Sequence, residues 1–147
     1  MKTDRAAIAA LVYAYAERLD AGDLDGVAAL FADATYGRAG GPLRRGSAEV
    51  RSALAVVKLH DGIPCTKHVI TNLIVDVDEV AGAAAARSYF TVLQAAPSLP
   101  LQPILAGRYH DRFAHAAGGW GFRERLIHVD LVGDLREHLR RPAAATD

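Results

Sequence analysis

The chain has 147 residues, of which 51% are hydrophobic, and its 17 basic and 17 acidic side chains cancel. That is enough apolar material for one folded domain and too little for two, and it excludes a disordered chain. A neutral balance with pI near 7.0 gives no sign of a nucleic-acid or anionic-membrane surface.

A lone cysteine, Cys65, excludes an internal disulfide, and no Cys/His spacing suits zinc. No apolar run approaches the ~20 residues of a membrane span, and the amino terminus enters an amphipathic pattern directly. These features predict a cytoplasmic protein without a membrane partner.

In chain order, Thr3 or Asp4 can cap a helix running to about Gly22, with Ile8, Leu11, Val12, Tyr15 and Leu19 as its buried stripe. Asp20 falls in the last turn, where a carboxylate opposes the helix dipole. Asp23 caps a short second helix carrying Leu24, Val27, Leu30 and Phe31. Ala34 to Arg38 reads as a short strand holding Tyr36, and AGGPLRRG (39–46) as a loop. Ser47 is the expected cap of a third helix that ends near Asp61-Gly62, with Val50, Leu54 and Val57 on one face.

From Pro64 the pattern turns to strands. PCTKHVITNLIVDV alternates, with His68, Ile70, Asn72 and Ile74 on one face and Val69, Thr71, Leu73 and Val75 on the other. Both faces are mostly apolar, which predicts a strand covered on both sides. His68 and Asn72 then need polar partners; for His68 alone, a core histidine satisfied by a backbone carbonyl is the leading reading, and it is the rest of the chain that favours a functional role. A turn at Asp78–Gly82 leads to a second strand over 83–95, with Phe90, Val92 and Gln94 on one face. Pro97, Pro100 and Pro103 predict a loop before a third strand (104–116), and Gly118-Gly119 a hairpin into a fourth (120–132). DLREHLRR suggests a short terminal helix, and the tail 141–147 disorder. Three helices followed by four long strands predict an α+β domain, with a curved, mostly antiparallel sheet and helices enclosing a pocket. Arg123, Glu124 and Arg125 read as surface or interface ion pairs. The scattered histidines offer no metal set, and no serine has a nucleophile-elbow context.

Four segments taken in order carry a resemblance. RLDAGDLDGVAALFADATY, RRGSAEVRSAL, TKHVITNLIVDV, and GRYHDRF with GGWGFRERLIHVDLVGD are similar to the SnoaL-like branch of the nuclear-transport-factor-2-like superfamily, in the group that includes scytalone dehydratase and hexachlorocyclohexane dehydrochlorinase. The resemblance spans about residues 4–138 and implies a single domain over the whole chain. In those enzymes a helix-one aspartate pairs with a histidine on the first long strand, and Asp20 and His68 stand at those positions. One dehydratase tyrosine matches Tyr36. Its other tyrosine, second histidine and asparagine are replaced by Leu19, Gln94 and Tyr109. The dehydrochlorinase arginine and lysine fall at Ala116 (or His115) and Tyr15.

The resemblance and the residues together imply a cofactor-independent, metal-free enzyme with an Asp20–His68 general base. Tyr36 and Tyr109 would polarise the substrate, and Tyr13, Leu54, Val92 and Gln94 would line the cavity. The expected reaction is dehydration, isomerisation or cyclisation of an apolar cyclic or polyketide-like small molecule. The alternative is a ligand-binding or structural module without turnover. Leu73, Val75, Tyr89 and Leu93 on an outer sheet face would pair the chain into a homodimer or higher oligomer.

Overall fold

The computed structural model describes residues 2–140; the tail predicted over 141–147 lies outside them. The first apolar stripe folds as α1 (Lys2–Asp20), which buries Ile8, Val12, Tyr15, Ala16 and Leu19. Gly22, at φ 76°, stops it: a Cβ here would lie 2.0 Å from the Gly62 carbonyl oxygen, so only glycine fits both the turn and the contact. Asp23 caps α2 (Leu24–Ala29) by accepting from the Gly26 amide at 2.9 Å.

β1 (Thr35–Arg38) carries Tyr36, and β2 (Arg44–Arg45) forms within the expected loop. α3 (Gly46–Leu54) departs from expectation at both ends. Ser47 is not its cap; the Glu49 carboxylate accepts from the Arg45 amide instead, at 2.7 Å. The helix also stops at Leu54, and Val57 pairs with Leu139 as an isolated bridge.

Four long strands follow: β3 (Thr66–Asp78), β4 (Ala83–Ala96), β5 (Leu99–Ala116) and β6 (Gly119–Val132). They complete a curved, open six-stranded sheet in the order β2-β1-β6-β5-β4-β3, antiparallel except where β1 runs parallel to β6. β5 begins at Leu99, five residues earlier than the prolines suggest. Pro100 and Pro103 are tolerated because β6 pairs with β5 only as far as Leu105, so that edge asks for no further donors. The expected terminal helix is a turn over 136–138, closed by the Leu139 amide on the Leu135 carbonyl.

β3 is not covered on both sides. Its register shifts between Thr71 and Ile74, with Asn72 at φ 51° in the bulge, a conformation asparagine adopts more readily than most residues. The bulge switches faces. Leu73, Val75 and Val77 therefore join Ile70 against the core, while Asn72 is exposed and Ile74 turns outward. The core itself lies between the helices and the inner sheet face, where Phe31 packs on Phe122 and Tyr36 at ring separations of 4.8 and 4.9 Å.

Candidate functional site

A cavity of about 670 Å³ opens between the helical layer and the sheet, well within the range of small-molecule pockets. Tyr15 and Leu19 of α1, Tyr36 of β1 and Leu54 of α3 line the helical side. His68, Phe90, Tyr109 and Ile127 line the sheet side. Leu135, His138 and Leu139 close one end, and Arg38 and Arg44 stand at the exposed rim.

Asp20, the last residue of α1, faces the start of β3. One carboxylate oxygen accepts from His68 Nδ1 at 2.6 Å and from the Thr66 hydroxyl at 2.8 Å; the other accepts from the His68 amide at 2.8 Å. Two residues of β3, Thr66 and His68, thus satisfy with three hydrogen bonds a carboxylate whose place at a helix C-terminus is otherwise unfavourable. Burial works to raise its pKa, but the hydrogen bonds and charge of His68, with the Thr66 hydroxyl, outweigh it and hold the carboxyl below its ordinary value. Both side chains are nearly inaccessible, at 11% and 5% exposure. With Nδ1 committed to Asp20, Nε2 is the His68 nitrogen left for the cavity.

Three tyrosines form a polar group on the cavity wall. The Tyr15 and Tyr36 hydroxyls bond each other at 2.7 Å, and the Tyr109 hydroxyl has no protein partner among the described residues. Burial pushes all three up from the ordinary phenol value, Tyr36 and Tyr109 well above it, so each is a neutral O–H donor near pH 7. Behind them lies Arg125, whose guanidinium carbon sits 4.3 Å from the centre of the Tyr15 ring and 3.8 Å from that of Tyr109. Arg125 is not a surface residue. It is fully buried in a bidentate pair with Asp111, both bonds 2.8 Å. Burial alone would depress its pKa; the Asp111 charge and hydrogen bonds raise it instead.

Of the residues expected to line the cavity, Leu54 does so. Tyr13 does not: it projects from the far side of α1 at 47% exposure, and Tyr15 occupies the inward position two residues on. Val92 and Gln94 face inward as their alternation implies, but both are sealed beneath the wall rather than part of it. The Gln94 amide nitrogen is consumed in holding the Pro64 and Glu137 carbonyls, at 3.1 and 2.9 Å.

Tyr15 and His138 are among the cavity residues that the sequence does not mark. Tyr15 was legible as core but not as a hydroxyl facing a cavity. His138 gave no signal, because the terminal segment reaches the site only through long-range contacts. Among the described residues, no group of three or more His, Cys, Asp or Glu side chains is placed to hold a metal, and no helix is long and apolar enough to cross a membrane.

Solved structures share this architecture. A "putative aromatic ring hydroxylase" from Novosphingobium aromaticivorans is 25% identical, with TM-score 0.74 over 93% of this chain and 97% of its own. A function unknown protein from Mycobacterium tuberculosis is 27% identical, with TM-score 0.69 over 85% and 75%. A "putative scytalone dehydratase" from N. aromaticivorans is 21% identical, with TM-score 0.70 over 95% and 93%, which speaks for the fold alone. No curated protein matches the sequence. The SnoaL-like domain model matches residues 2–126, most of the chain and every element up to the middle of β6, and the protein belongs to that family.

Proposed function

We propose that the protein is a cofactor-independent enzyme in which the Asp20–His68 dyad acts as general base on an apolar cyclic or polyketide-like small molecule. The observation that carries this reading is the 2.6 Å contact between Asp20 and a His68 ring that borders an open cavity. Family membership supports a general enzyme-like role, and similar structures include a "putative dehydratase from the NTF2-like family" of Streptomyces avermitilis and ActVI-ORFA from Streptomyces coelicolor.

Asp20 fixes the Nδ1–H tautomer, leaving Nε2 unprotonated as acceptor. Nε2 takes a proton from the carbon beside a substrate carbonyl, and the C–H electron pair moves into the enolate. The Tyr109 O–H donates to the developing oxyanion, with Tyr36, tied to Tyr15, as the second donor. Asp20 stabilises the imidazolium until its proton is delivered. In a dehydration it goes to the departing hydroxyl, which leaves as water; in an isomerisation or cyclisation it returns to carbon or oxygen of the product. Such base catalysis contributes typically ~10²–10⁴-fold.

A panel of fused-ring β-hydroxy ketones, 3-hydroxy-1-tetralone among them, tests this by water loss followed in absorbance. His68→Ala and Asp20→Asn should each lower turnover by about 10²-fold or more with little change in melting temperature. If no panel member is turned over, or if the variants lose stability and keep turnover, the reading fails. Binding without turnover would establish the non-catalytic ligand-binding alternative.

The same reading includes a homodimer. Val69, Ile74 and Tyr89 stand 39–52% exposed on the outer face of β3 and β4, an apolar surface a partner copy would cover. Leu73 and Val75 drop out of that surface because the β3 bulge turns them inward. Light scattering at micromolar concentration should give twice the 15.7 kDa chain mass; a monomer overturns this part. A cytoplasmic setting, where a lone thiol such as Cys65 stays reduced, goes with it.

A further inference from the structure

The segment after β6 doubles back across one end of the cavity and is sewn down along its length. Lys58 donates its amide to the His138 carbonyl at 2.8 Å, and the Arg140 amide donates to Val56 at 2.8 Å. Gln94 holds the Glu137 carbonyl at 2.9 Å, and the Ser98 hydroxyl donates to the Glu137 carboxylate at 2.9 Å. These contacts fix the backbone of one residue above all. They present the His138 ring to the cavity, 6.3 Å from the His68 ring and at 60° to it.

The His138 side chain is itself unusual for a buried group. The residue is only 4% exposed, and its Nδ1 has no hydrogen-bond partner. That nitrogen is sealed from the cavity the ring borders, so Nε2 is the one left for a bound molecule. The strap fixes the backbone that carries this ring over the cavity.

We propose that His138 is a second substrate-contacting imidazole, donating its Nε2–H to an oxygen of a fused-ring ketone or phenol held in the cavity that it and His68 both line. The position that the family resemblance assigns to a second histidine is Gln94 here, whose amide nitrogen is spent on two backbone carbonyls and which lies sealed beneath the cavity wall. The same chemical role reaches the cavity from a different element. Burial, with repulsion from His68, brings the His138 pKa down to about 4, so near pH 7 the ring is neutral and carries one N–H. A neutral imidazole hydrogen-bonds a carbonyl without surrendering its proton, so His138 orients the ligand and His68 does the proton transfer. The oxygen function becomes part of the recognition, and a plain hydrocarbon of the same shape gains nothing from it.

This assignment rests on the cavity being the substrate site but not on turnover, and its test needs none. The probes are 1-tetralone and tetralin, which share a ring system and differ in one carbonyl. Calorimetric titration should show 1-tetralone bound about tenfold more tightly than tetralin, the worth of one hydrogen bond. His138→Ala should abolish that preference while moving tetralin affinity less than twofold, and His138→Asn, which keeps a donor, should restore part of it. The wild-type protein gives an independent readout: the ¹⁵N resonances of the His138 ring should shift with 1-tetralone and stay put with tetralin. Equal affinity of the wild type for the two probes, parallel loss of both in His138→Ala, or an unmoved ring resonance would each overturn the assignment. Loss of turnover in His68→Ala leaves these binding results unchanged, so the two readings fail separately.

Discussion

Lowering the pH from 7 to 5 should cost the folded protein about 2 kcal/mol through His138 alone. Its pKa is about 4 in the fold against the ordinary 6.5, depressed first by burial and then by His68, with Asp20 pulling the other way. A base with a depressed folded pKa takes up protons in the unfolded chain first. Its contribution is intact above pH 6.5 and drains away as pH falls toward 4, at a limiting rate of about 1.4 kcal/mol per pH unit. Integrated from pH 7 to pH 5, that slope gives the stated loss. Asp20 contributes in a different window. Its folded pKa lies below the usual 3.8, so its stabilisation is complete above that value and falls only in stronger acid. His128, also lowered by burial and by its neighbours His110 and Arg108, acts in the same range as His138. It is present in both proteins of the comparison, so the difference between them isolates His138. The assay is urea unfolding of the wild type and His138→Gln at both pH values. The wild type should lose about 2 kcal/mol more than the variant between them. Equal losses would mean that His138 is not held neutral in a dry site, and the account of that end of the cavity would be wrong.

Two further perturbations probe the sheet beneath the cavity. Arg125→Met leaves the Asp111 carboxylate buried without the guanidinium it is paired with, which should cost about 3–5 kcal/mol in urea unfolding; adding Asp111→Leu should recover most of it. If the single variant is as stable as the wild type, the pair does not carry the charge assigned to it. Gly107→Ala would place a Cβ 2.0 Å from the His128 carbonyl oxygen and 2.9 Å from the Phe90 ring. Strand backbone cannot yield cheaply, so a loss of about 1–3 kcal/mol is expected by thermal unfolding, and a neutral result would contradict the β5–β6 packing.

Much of the fold is legible from local rules because its causes are local. The α1 stripe, the Asp23 cap, the Gly22 stop and the period-two alternation of β4 each depend on residues within a few positions of one another. The failures share a cause as well. Ile74 and Leu73 change faces because one bulged residue, Asn72, resets the count for the rest of β3, and no period analysis places a bulge. Pro100 and Pro103 lie inside a strand because the neighbouring β6 has already ended, which is a property of the partner and not of the prolines. Arg125 looks like a surface charge until Asp111, fourteen residues earlier on the adjacent strand, is brought into register opposite it.

The site divides along the same line, and the division bears on its chemistry. Asp20 and His68 were visible because each is awkward where it stands, an acid at a helix C-terminus and a histidine on an apolar strand, and each relieves the other. His138 carries no such local mark. Its place depends on Val56 and Lys58 after α3 and on Gln94 of β4, two separate parts of the chain, meeting the segment 136–140. Contacts of that kind fix backbone, not side chains, and they would serve equally well with leucine in place of His138. Packing therefore explains why the strap lies across the cavity but not why an imidazole with an unpaired nitrogen stands at its centre. A residue that the scaffold tolerates and does not require is best accounted for by what binds there. That is why the ketone-against-hydrocarbon comparison, rather than a measure of stability, is the decisive one for His138.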